Sequence, residues 1–173
     1  MVFRMPLMVG VLCITVLAKA QDNGVVNLNG RIVEAACTIS TESQFQTVDM
    51  GVLPMSAVRQ QGRGPVRPFV IRLMNCVLVS PSGQNRPIFT VTFDGADVTD
   101  MAGVFSVLGE ASGVALRLHD SSGHVVYPGQ PAARQLMIEG QSVLHYQLQL
   151  VSNAKPLHPG SYNSALRFRL DYD

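Results

Sequence analysis

Seven short runs of this chain alternate apolar and polar residues with a period of two, and that pattern constrains the fold more than any other feature. Val26, Leu28, Gly30 and Ile32 share one face of the first run, with Asn27, Asn29 and Arg31 on the other. The same pattern recurs at Val48/Met50/Val52, Phe69/Ile71/Leu73, Phe89/Val91/Phe93 and Val114/Leu116/Leu118. It returns at Leu144/Tyr146/Leu148/Leu150 and at Leu166/Phe168/Leu170/Tyr172. Successive side chains of a strand point to opposite faces, so each run predicts a strand with one buried face. One polar face per strand predicts antiparallel sheet. Breakers such as Gly62-Arg63-Gly64-Pro65, Pro81-Ser82-Gly83 and Tyr127-Pro128-Gly129 separate the runs. A turn of helix fits only around Met55–Val58 or Asp100–Val107. The expected architecture is an all-β, two-sheet, immunoglobulin-like sandwich in one domain.

The first 20 residues fall outside that pattern. Arg4 precedes an apolar stretch from Pro6 to Leu17, and Ala18-Lys19-Ala20 is a small-x-small cleavage site. This predicts a secretory signal peptide over 1–20; the rival reading is a membrane anchor, for which the stretch is short. Export fixes how the cysteines read. Cys13 leaves with the leader, and Cys37 and Cys76 enter an oxidising compartment, where one disulfide is the simplest outcome. In the chain-entropy model a loop of that size stabilises by roughly 4 kcal/mol.

Charge and chemistry exclude several classes. Thirteen Lys and Arg against 12 Asp and Glu give no field to attract nucleic acid or anionic membrane. Without Arg4 and Lys19 the balance becomes 11 against 12. Trp is absent, which argues against an aromatic sugar cleft or base-stacking platform. No phosphate-binding loop, zinc-protease helix or nucleophile elbow occurs. The pair His119-Asp120 reads as a turn or a relay fragment. Asp94, Asp97 and Asp100 could hold a hard cation through oxygens, but the spacing and closing Glu of an EF-hand are missing. Arg63, Arg67 and Arg72 read as a solvated face or edge guard. The expectation is a protein without catalytic residues, metal, cofactor or small-molecule substrate.

The two ends carry the functional signal. Ser164 to Asp173 alternates to the last residue. Gln21 to Val33 is strand-like, and Gly30 interrupts its apolar face, as glycine does where another backbone approaches closely. That segment is either the first strand of the domain's own sheet or a strand added to another molecule.

The chain resembles pilin subunits of the chaperone–usher pathway, the family of type 1 and P pili. The resemblance rests on Asn29-Gly30-Arg31-Ile32-Val33 before Ala35-Ala36-Cys37-Thr38, and on the second cysteine within Phe69–Cys76. It rests further on Phe89-Thr90-Val91-Thr92-Phe93-Asp94-Gly95 and on a C-terminal signature: Gly160 fourteenth from the end, an alternating strand, and penultimate Tyr172. The resemblance implies an incomplete sandwich that lacks its last strand. It implies residues 21–33 as a donor extension and 34–173 as the pilin domain. Val26, Leu28, Gly30 and Ile32 would enter a neighbour's groove. Gly160, Leu166, Phe168, Leu170, Tyr172 and Asp173 would form this subunit's acceptor groove and chaperone-binding surface. The implied partners are a periplasmic chaperone, an outer-membrane usher and neighbouring pilins, with export through the periplasm to a cell-surface fimbrium that supports adhesion. Asp49-Met50-Gly51 and the ending Phe168–Asp173 resemble the terminator of P pili, so a rod-anchoring subunit whose groove accepts no further strand is the alternative.

Overall fold

The computed structural model describes residues 37–77 and 88–172. The leader, the donor positions Val26, Leu28, Gly30 and Ile32, and Asp173 lie outside the described residues. The described residues all fall in one unit, Val33–Asp173.

The alternating runs form strands because β-branched and aromatic side chains on one face can pack while the other face stays wet. Twelve strands are described: β1 Thr38–Ile39, β2 Arg63–Cys76, β3 Ile88–Asp94, β4 Asp97–Val98, β5 Met101–Phe105 and β6 Leu108–Gly109. After them come β7 Val114–Asp120, β8 Val125–Val126, β9 Gln135–Leu136, β10 Gly140–Ser152, β11 Tyr162–Asn163 and β12 Arg167–Tyr172. The larger sheet runs β1-β2-β10-β7-β5-β4, with β8 on β7. Its spine is the antiparallel β2–β10 ladder, from Gly140 opposite Cys76 to Val151 opposite Arg63. The smaller sheet runs β12-β3-β9. A short β11–β6 ladder stands apart from both.

The two sheets bury their apolar rows against each other. Ile71, Leu73, Leu144 and Tyr146 come from the larger sheet, and Phe89, Val91 and Phe93 from the smaller. Phe93 crosses the interface edge-on to Tyr146, with ring centroids 4.8 Å apart at 74°. Each such side chain stabilises by about 1.5–3 kcal/mol through burial, and an edge-to-face pair adds about 0.5–1.5 kcal/mol. Val104, Ala115 and Val151 make a second, smaller cluster.

Three expectations change. The Asp100–Val107 stretch is the strand β5, because Val104 and Phe105 are both buried. The helix at Met55 is longer than one turn. Helix α1 covers Thr41–Gln44 and α2 covers Met55–Gln61, the latter closed by Gly62 in the left-handed region, whose N–H donates to the Val58 carbonyl at 2.8 Å. Val52 does not continue the Val48/Met50 face. At Gly51 the backbone turns left-handed (φ +69°), Val52 points to solvent and Leu53 packs inward instead.

Burial pushes the Tyr146 phenol up to about 12, against a smaller opposing pull from the Gln135 side chain. An unfolded phenol ionises near 10, so from pH 10 to 12 the unfolded chain releases a proton that the folded chain keeps. Stability from this group is therefore intact below pH 10 and is lost as the pH rises to 12. Urea unfolding across that window should steepen in its pH dependence, and Tyr146→Phe should flatten the slope.

Candidate functional site

Strand β12 pairs with β3 in register from Arg167 opposite Asp94 to Tyr172 opposite Phe89. The far side of β3 is also occupied. Gly129 and Ala132 donate their N–H groups to the Phe93 and Val91 carbonyls at 2.8 and 2.9 Å, and β9 continues the contact. Strand β3 is thus central and β12 is an edge: among the described residues no strand lies on its outer side.

The apolar row of β12 and its continuation, Leu166, Phe168, Leu170 and Tyr172, packs on the core but is only half-buried. Its neighbours on β3 set the contrast, since Phe89, Val91 and Phe93 are 0, 0 and 2% exposed. The rows belong to one sheet and face one core, so the difference lies in what covers β12. A second half-buried row, Val48, Met50 and Leu53, packs on the same core from the extended stretch 45–54, which joins no described ladder. An Asx turn fixes its bend: the Gly51 N–H donates to Asp49 Oδ1 at 2.8 Å. Sequence alternation finds Val48 and Met50 but puts Val52 in place of Leu53, because the bend shifts the phase.

The outward face of β12 is charged. Arg169 Nη1 meets Asp94 Oδ2 at 2.9 Å and its Nε meets Asp171 Oδ2 at 3.3 Å. Exposed pairs of this kind contribute about 0–1 kcal/mol, so they hold register more than they stabilise. At the far end, burial raises the Tyr172 phenol, opposed by a hydrogen bond from the Cys37 backbone. Cys37 is disulfide-bonded to Cys76 at the end of β2. The terminal strand therefore closes beside the disulfide.

Gly160 belongs elsewhere. It precedes β11, and a Cβ there would stand 2.5 Å from Glu110 Cβ and 2.8 Å from the Ala111 nitrogen. The missing side chain permits close packing on Glu110–Ala111. Arg67 also departs from its expected solvated face. It is half-buried in the inner row of β2 with Phe69 and Ile71, while Arg63 and Arg72 are exposed. Asp120 accepts backbone N–H groups from Ser122 and His124, both at 2.9 Å, and closes the β7–β8 turn. His119 is lowered by burial and by Arg117, with Asp120 opposing. Asp94 is held by Arg169, and Asp100 lies 3.8 Å from Lys155. Among the described residues no three acidic, His or Cys side chains gather as metal ligands.

The sequence model of the fimbrial protein family matches residues 26–173. This chain belongs to the fimbrial protein family. The "PRS fimbrial minor pilin protein" of Escherichia coli is 32% identical over 87% of this chain and 78% of its own length. The "Probable major fimbrial subunit LpfA" of Escherichia coli O157:H7 is 31% identical over 92% of this chain and 89% of its own. The P pilus rod subunit PapA has the same fold, with a TM-score of 0.73 at 23% identity over 80% of this chain and all of that one. The chain is a structural fimbrial subunit with the immunoglobulin-like β-sandwich of the pilin fold, and its place is the cell-surface fimbria.

The Gly51 bend shapes one bank of the site in this fimbrial subunit. A Cβ there would lie 2.8 Å from Arg67 Nη2, in a left-handed backbone. Gly51→Ala should cost about 1–3 kcal/mol through backbone strain, read as a lower urea midpoint, and Gly123→Ala, also left-handed but in open space, should fall in the same range because the Arg67 tip can swing away.

Proposed function

We propose that the outer edge of β12 accepts a β-strand from another molecule, first from a periplasmic chaperone and then from the extension of a neighbouring subunit at the outer-membrane usher. One observation carries the reading: an apolar row on the terminal strand stays half-buried beside a fully buried row on the next strand. An edge strand left in that state is an aggregation hazard, and an added strand removes it by completing both the ladder and the apolar cover.

In this reading residues 1–20 are the secretory leader, 21–33 the donor extension and 34–173 the pilin domain. Val26, Leu28 and Ile32 are the donor side chains, and Gly30 passes where the groove is narrow. Leu166, Phe168, Leu170 and Tyr172 line the acceptor edge, with Val48, Met50 and Leu53 as the opposite bank. The Asp173 carboxylate meets basic residues of the chaperone. The role is structural, not enzymatic, and serves adhesion through the fibre. No observation favours the terminator over a subunit whose groove stays open.

Three measurements test this. Every second amide of β12 should exchange rapidly in the uncomplemented subunit and slow markedly when a donor peptide is added; unchanged exchange would count against the edge. Donor strand at 100 times its Kd should stabilise the subunit by about 2.7 kcal/mol. Val26→Asp combined with Leu28→Asp should abolish incorporation into fibres while leaving the chaperone complex intact. Normal incorporation would remove residues 21–33 from the donor role.

A further inference from the structure

The inner row of β2 reads Arg67, Phe69, Ile71, Leu73. A half-buried cation heads an otherwise apolar row, and its Nε is buried with no hydrogen-bond partner among the described residues. The guanidinium lies against the Asp49–Gly51 bend. Asp49 is close by, and its Oδ1 accepts the Gly51 N–H. A guanidinium donor withdrawn from water is costly until an acceptor reaches it.

Ring contacts locate Arg67 along the β12 edge. Phe93 stands 6.4 Å from Phe69 and 6.0 Å from Phe168, so these two are level. Tyr172 stands by Phe89 and the Cys37 backbone, and Cys37 is bonded to Cys76 at the end of β2. Strands β2 and β12 therefore run toward the same end. One step back from Phe69 and Phe168 lie Arg67 and Leu166, which places Arg67 at the Leu166 end of the edge.

We propose that Arg67 selects the incoming strand by binding Glu34 of a second copy of this chain, entering antiparallel to β12. The inference rests on the strand-accepting edge proposed above. Val26 to Ile32 spans the same seven residues as Leu166 to Tyr172, about 20 Å of strand each. Every strand ladder described in this protein is antiparallel, and antiparallel pairing is the more stable kind. That direction sets Val26 at Tyr172 and Ile32 at Leu166. The next residue on the same face is Glu34, at the Arg67 end. Parallel entry would bring Gly24 there, with no acceptor side chain. A guanidinium–carboxylate hydrogen bond formed there is charge-assisted and, half-buried, resists screening by salt.

The test is titration of a labelled peptide of residues 21–36 into the mature chain. The Glu34→Gln peptide should bind about tenfold more weakly than the native peptide. An Arg67→Glu subunit should reverse the preference and favour the Glu34→Arg peptide. Because the Glu34→Gln comparison leaves the folded subunit unaltered, it stands even if Arg67→Glu fails to fold. Native and Glu34→Gln affinities within about twofold of each other would overturn the pairing. A Leu28→Asp peptide separates the two readings: if it binds like the native peptide, the apolar edge itself is wrong. If Leu28→Asp abolishes binding while Glu34→Gln is silent, the edge stands and the Arg67 assignment falls. No binding by the native peptide would overturn the choice of a second copy as occupant.

Discussion

A β-strand with a core-facing apolar row needs two things on each side, backbone hydrogen bonds and cover for its side chains. Strand β12 has both toward β3 and neither on its outer side among the described residues. The two deficits share a cause and a remedy, because one added strand supplies a ladder and a row of side chains together. This is why the half-buried state of Leu166, Phe168, Leu170 and Tyr172 weighs more than any polar cluster in the molecule. Their partners on β3 prove that the core can bury such a row completely.

The rest of the fold holds that edge in place. The disulfide ties Cys37 to the end of β2, and a hydrogen bond from the Cys37 backbone meets the Tyr172 phenol. The stretch after Cys37 then runs along β2 with help from side chains. The Ser40 N–H donates to the Arg72 carbonyl, the Arg72 N–H to Ser43 Oγ, both at 2.9 Å, and Gln46 Nε2 to the Val70 carbonyl at 3.2 Å. Past Gln46 these bonds stop, and the chain supplies Val48, Met50 and Leu53 to the core without joining a ladder. Both apolar rows at the site therefore sit on segments with unused backbone pairing capacity.

Much of this was legible in the sequence because strand periodicity is strict. The rows of β2, β3, β7, β10 and β12 face the core as alternation requires, and β10 buries Leu144, Tyr146, Leu148 and Leu150 while exposing His145 and Gln147. The misreadings have local physical causes. A single left-handed glycine shifted the phase of residues 48–53, which hid Leu53 and misassigned Val52. Strand β5 carries buried side chains at successive positions, Val104 and Phe105, serving two apolar clusters, so it shows no alternation. Gly160 marks close packing on residues brought together only by the tertiary fold. Charge groups Arg67 with Arg63 and Arg72, whereas parity puts it on the face of Ile71, where it is half-buried.

The charged outward face of β12 completes the logic of a selective edge. Arg167, Arg169 and Asp171 alternate with the apolar row, and Arg169 bridges to Asp94 on β3. Such charges make face-to-face association of this sheet unfavourable and keep the register of β12 on β3 fixed. The remaining adhesive surface is narrow: one backbone edge and the apolar trough beside it. A random apolar contact satisfies the trough but not the backbone, and a random polar strand satisfies the backbone but not the trough. Only a strand that alternates in phase with both meets the two demands at once, and on the proposed pairing the Arg67–Glu34 contact adds a third demand that fixes the strand's direction.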